Sequence, residues 1–165
     1  MLILQKPYNW SSWLCAELDI GDFVISTDAM YHDFTVAPLG YEVGQVPGLP
    51  VHSFPADEML INAAMAAAQQ VHPDHARTGR IASGDQFVAA KEQKKQIIAD
   101  TGALCTEMEG AAIAHAAWRN GVPFVVIRAI SDKADDSAEM DYPTFEAIAA
   151  KRCAAVTQNL AAALA

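Results

Sequence analysis

Residues 124–132 read Phe-Val-Val-Ile-Arg-Ala-Ile-Ser-Asp, an apolar run that stops on a hydroxyl and a carboxyl group. Uninterrupted β-branched residues behind Pro123 predict a strand buried on both faces, as found inside α/β sheets. In open sheets of that class ligands sit at the carboxyl ends of strands, so Ser131 and Asp132 are candidate site residues. Burial there would raise the pKa of Asp132 and suit it to give up a proton near neutral pH, an effect that a nearby Arg128 opposes. A second account fits the same residues: Arg128 pairs with a buried carboxylate, and Asp132 caps the following helix or turn. The strand alone does not choose between them. Metal chemistry finds less support. His72 and His75 flank Pro73 beside Asp74 with no third ligand at workable spacing, and Cys15, Cys105 and Cys153 are odd in number without CxxC spacing. Neither a metal site nor a disulfide framework is expected.

A second stretch, Thr106-Glu107-Met108-Glu109-Gly110-Ala111-Ala112-Ile113-Ala114-His115, weighs on the choice. With the Arg128-Ala129-Ile130-Ser131-Asp132 strand end, it resembles the 5'-methylthioadenosine/S-adenosylhomocysteine nucleosidases of the purine nucleoside phosphorylase superfamily. Tyr31-His32-Asp33, Gly40-Tyr41-Glu42, Gly44-Gln45, Pro47-Gly48, Ser83-Gly84-Asp85 and Phe87 match the same family in the same order. The resemblance runs from about Leu18 to the C-terminus. It divides the chain into an unmatched leader, 1–17, and the C-terminal two-thirds of a single nucleosidase domain, 18–165. The family's N-terminal strands, its Ser/Gly-rich loop and a catalytic glutamate have no counterpart before Leu18, so an N-terminally truncated member is the expectation.

The resemblance implies an α/β fold, a phosphorylase/hydrolase-like mixed sheet flanked by helices, that hydrolyses the N-glycosidic bond of 5'-methylthioadenosine and S-adenosylhomocysteine and releases adenine. Such a bond breaks through an oxocarbenium-like ribose while the purine departs. By carry-over, Asp132 is the general acid at purine N7, oriented by Ser131; a carboxyl group matches the acceptor and donor on adenine's outer edge. Glu109 accepts from the ribose hydroxyls as a charged partner and faces the cationic sugar. Thr106, Glu107, Met108 and Arg128 belong to the same pocket, Phe87 stacks on adenine, the Val88 backbone bonds its edge, and Tyr142 covers the 5' substituent. Val36, Leu39, Tyr41 and Pro47 are expected to close the pocket of a neighbouring subunit in a homodimer, or to seal their loop against its own domain. No cofactor and no metal are implied. Three alternatives stay open: a purine nucleoside phosphorylase, which needs phosphate-binding arginines and a glycine-rich loop; a futalosine or AMP nucleosidase; and a remnant that only dimerises or binds adenine compounds.

The elements that must position these groups follow from pattern and composition. With 165 residues, 52% apolar and 19% charged, the chain suits one globular domain. A net charge of −9 argues against nucleic acid or anionic membrane as partners, and no apolar run is long enough to span a bilayer. A reducing cytoplasm is expected. Met1 to Ala16 reads as neither strand nor helix. Gly21 to Ser26 reads as a turn into a short strand, Asp28 to Pro55 as a long loop, and Ala56 to Val71 as a helix with acidic residues in its first turn. Strands are expected at Arg77–Ser83 and Ala103–Thr106, and helices at Lys91–Asp100, Gly110–Arg119 and from Pro143 to about Leu164. Lys91, Lys94 and Lys95 read as a solvated helix face.

Overall fold

The structure, a computed structural model, describes residues 18–131 and 142–165, with the backbone alone at 2–3, 12–13 and 142–146. Its spine is strand β3 (Phe23–Tyr31), whose first four residues are wholly buried. On one side β3 pairs in parallel with β5 (Ala76–Ser83), and β5 with β6 (Cys105–Glu107). On its other side it pairs antiparallel with β7 (Val125–Ala129), and the two-residue strand β4 (Phe54–Pro55) joins it as well. The sheet is therefore mixed. The α-helices among the described residues are α1 (Glu58–Val71), α2 (Lys91–Thr101), α3 (Gly110–Arg119) and α4 (Tyr142–Ala163), and a 3-10 turn spans Ala37–Leu39.

Two large apolar clusters form most of the core, and a smaller one holds Ala82, Val88, Ile97 and Ala103. Leu60, Ala64, Ala67 and Ala68 of α1 pack with Val156 and Leu160 of α4 over Phe23, Ile25, Val125 and Ile127. Across the sheet, Ala111, Ala114 and Ala117 of α3 press on Val24, Ala29, Ile81 and Val126. The small side chains at three-residue spacing let α3 lie close to the strands, because no longer group stands between backbone and sheet. Asp57 caps α1 by accepting from the Leu60 amide at 3.0 Å, and Gly102, at φ +65°, closes α2 as a left-handed residue.

Several sequence expectations change. β3 does not stop at Ser26 but runs to Tyr31, across a register shift between Ser26 and Ala29. The polar pair Thr27-Asp28 that hides this continuation is accounted for: Asp28 accepts from Arg80 Nε and Nη2 on the neighbouring β5, the latter at 2.7 Å. The long loop is correspondingly shorter. Gly44 within it must be glycine, since its φ is +81° and a Cβ would stand 2.3 Å from the Tyr31 carbonyl oxygen. Lys94 is buried and so leaves the solvated face on which Lys91 and Lys95 remain.

The segment read as neither strand nor helix contributes two short strands. β1 (Leu2–Ile3) pairs in parallel with β7, and β2 (Ser12–Trp13) pairs antiparallel with β6. β6 begins at Cys105, so Glu107 ends a strand instead of following one. β7 stops at Ala129, leaving Ser131 just beyond it, while Asp132 lies outside the described residues.

Candidate active site

Ser83 and Glu107 are register partners at the carboxyl ends of the parallel strands β5 and β6. Both are buried, at 1% and 2% exposure. The Glu107 carboxylate is consumed by its own chain. It accepts from the Gly110 amide at 2.9 Å through both oxygens, from the Glu109 amide at 3.1 Å and from the Ser83 hydroxyl. Ser83 Oγ in turn accepts from the Ala111 amide at 2.7 Å. These amides form the first turn of α3, where unpaired N–H groups and the helix dipole favour an anion. Glu107 thus fastens the amino end of α3 to the ends of two strands.

Arg128 completes the arrangement. Its guanidinium, 4% exposed, pairs with Glu107 Oε2 and reaches Glu109 Oε2 at 3.4 Å. Two carboxylates against one guanidinium leave excess negative charge at the more open one. Glu109 is that one, with 38% of its side chain exposed against none for Glu107. Burial pulls the Arg128 pKa down to about 10, which keeps it charged at neutral pH, and burial pushes the nearby Cys105 thiol up to about 12, which keeps it protonated. Among the described residues, Arg128 Nε, Thr106 Oγ1 and His32 Nε2 are buried without a hydrogen-bond partner.

The other expected site residues fall around this centre. The turn after β5 carries Phe87, half exposed, and Val88, buried. That turn is braced from β3: the His32 amide donates to the Ser83 carbonyl at 2.9 Å, and Asp33 accepts from the Asp85 amide at 2.6 Å. Met108, between the two glutamates, is 37% exposed. Thr106 is buried beside Glu107, and Ser131 stands two residues past the end of β7. Val36 and Tyr41 are partly buried, whereas Leu39 is 72% exposed and Pro47 is exposed. Asp132 and the Tyr142 side chain lie outside the described residues.

Sequence reasoning missed Ser83 as the group that joins Glu107 to α3. Its signals were a serine before a glycine at a strand end and its place in the Ser83-Gly84-Asp85 motif, and neither names Glu107 as its partner. Local spacing also hides a carboxylate: Asp22, 53 positions before His75, stands beside the His72–His75 turn.

Residues 14–162 match the family model described as the phosphorylase superfamily. The chain belongs to that superfamily. Solved structures of nucleosidases and of a futalosine hydrolase resemble it over more than nine tenths of its length. A 5'-methylthioadenosine/S-adenosylhomocysteine nucleosidase from Neisseria meningitidis, in complex with methylthio-immucillin-A, is 37% identical with a TM-score of 0.83, over 93% of this chain and 66% of its own. An S-adenosylhomocysteine nucleosidase from Streptococcus pyogenes, in complex with 5-methylthiotubericidin, is 33% identical with a TM-score of 0.83, over 95% and 66%. A futalosine hydrolase mutant from Helicobacter pylori is 30% identical with a TM-score of 0.82, over 93% and 66%. The chain therefore spans just under two thirds of the length of these structures.

Proposed function

We propose that this superfamily member hydrolyses the N-glycosidic bond of 5'-methylthioadenosine and S-adenosylhomocysteine, releasing adenine as a step of methionine salvage. The observation that supports the reading is the Arg128 bridge, which ties the carboxylates of Glu107 and Glu109 to strand β7. Two of the similar structures are nucleosidases of this substrate class, which supports the same choice.

In the proposed mechanism, Asp132 protonates the departing purine at N7 and Ser131 orients its carboxyl group. Glu109, the open carboxylate, accepts from the ribose hydroxyls and offsets positive charge as the glycosidic bond lengthens; charge-assisted bonds of this kind strengthen as the partner becomes more cationic. Glu107 and Arg128 hold Glu109 in place and, with Thr106, close the floor of the site. Phe87 stacks on adenine, the Val88 backbone bonds its edge, Met108 lies under the ribose and Tyr142 covers the 5' substituent. Val36, Leu39, Tyr41 and Pro47 serve the pocket of a second copy, in a homodimer working in the cytoplasm. No helix among the described residues is long and apolar enough to cross a membrane. The exposure of Leu39 suits a partner contact better than a seal against its own domain.

A second reading, futalosine hydrolysis, has support of its own in the Helicobacter pylori structure. In both readings the bond from the sugar carbon to the purine breaks, the purine leaves with the Asp132 proton, and water bonds to the sugar carbon and releases a proton to solvent; no phosphate is consumed, which separates them from a phosphorylase. Incubating the chain with 5'-methylthioadenosine, with and without inorganic phosphate, should give free 5-methylthioribose under both conditions. Sugar 1-phosphate, formed only when phosphate is present, would identify a phosphorylase instead. Futalosine cleaved in preference to 5'-methylthioadenosine would favour the second reading.

A further inference from the structure

Three side chains from two parts of the sequence meet where α1 returns to the sheet. His72 follows α1, its amide donating to the Ala68 carbonyl at 2.8 Å. The His75 amide donates to the His72 carbonyl at 3.3 Å and closes a tight turn, with Asp74 at φ +64°. The His75 carbonyl accepts from Phe23 at 2.8 Å, which pins that turn to the first residue of β3, directly after Asp22. The Asp22 carboxylate is 8% exposed: Oδ2 accepts from the Asp19 amide at 2.8 Å, and Oδ1 lies 2.6 Å from His75 Nδ1. One potential ligand atom from each of the three residues lies within 4.8 Å of the other two.

We propose that Asp22, His72 and His75 form a binding site for a divalent transition-metal cation of the zinc, nickel or copper class. Two imidazoles and a carboxylate make a donor set suited to these borderline cations, whereas magnesium and calcium prefer all-oxygen shells. The Asp22 carboxylate is held in place by the Asp19 amide and lies beside His75 Nδ1, so a cation between the two would replace the proton they share. The two rings stack with centroids 3.9 Å apart and 13° between planes, so joint coordination requires one to rotate. His75, with 45% of its side chain exposed, has room to do so. The Arg152 guanidinium, against Gly21, is the opposing charge, and Asp22 and the overall −9 offset it.

The rival account is an Asp22–His75 ion pair that only fastens the turn. Calorimetric titration of the full chain, free of any affinity tag and stripped with a chelator, separates them, with zinc chloride and nickel chloride as separate titrants. A saturable single-site binding heat is expected with both metals and none with magnesium chloride. His72→Ala, His75→Ala and Asp22→Asn should each weaken binding at least tenfold. Asp22→Asn also loosens the turn at Asp19, so the deciding variant is the double His72→Ala/His75→Ala, checked for folding by circular dichroism. No saturable heat in the parent chain, or undiminished heat in the folded double variant, would overturn the assignment.

Discussion

Arg128→Met is expected to destabilise the chain by about 3 kcal/mol, the lower end of the range for removing one partner of a buried ion pair. The loss follows from what stays behind. Glu107 would remain fully buried with a full negative charge, and only the Ser83 hydroxyl and the amides of Glu109 and Gly110 would solvate it. Those donors, at the positive end of α3, keep the cost from the upper end of the range. Adding Glu107→Gln to the Arg128→Met background should recover part of the loss, because a neutral amide still accepts from the Gly110 N–H and no longer needs a counter-charge. Urea denaturation of the parent, the single variants and the double variant measures this coupling directly. A loss below about 1 kcal/mol in Arg128→Met, typical of an exposed pair, would mean that the guanidinium is not holding the two carboxylates.

Asp132→Asn is expected to lower adenine release by about two to four orders of magnitude while leaving the denaturation midpoint unchanged. An amide keeps the size and much of the hydrogen bonding of the carboxyl group but has no proton to give to N7. Substrate binding should fall far less than turnover, since both side chains can bond the purine edge. Turnover in Asp132→Asn equal to that of the parent would remove this residue from the proposed chemistry.

Local signals in the sequence located the helices closely. The alanine run of α3 begins and ends where expected, Gly102 stops α2, and acidic residues mark the start of α1. The mixed sheet and the pairing of Arg128 with a buried carboxylate were likewise readable, the latter as one of two accounts. What escaped depended on partners distant in sequence. Thr27-Asp28 looked like the end of a strand because Arg80, 52 positions away, was not visible as the counter-charge that lets β3 continue. Lys94 looked solvated for want of tertiary context.

Glu107 and Glu109 show the same limit more sharply. As letters they are equivalent acids two positions apart. In the fold, β6 ends at Glu107 and the chain turns into α3 at Glu109, so one acid is enclosed, where five donor contacts from Ser83, Glu109, Gly110 and Arg128 consume it, and the other stays partly open. No spacing rule separates an anchoring carboxylate from one available to a ligand, because the difference lies in which donors surround each.

The central claim is that Glu109, held by Arg128, is the carboxylate that receives a nucleoside's ribose. Calorimetric titration of 5'-methylthioadenosine into the parent chain and into Glu109→Gln tests it most directly. A saturable single-site heat in the parent, weakened about 10- to 100-fold in the variant through loss of a charged hydrogen-bond acceptor, is the predicted result. Equal affinity in the two proteins, or no binding heat in a folded parent chain, would contradict it.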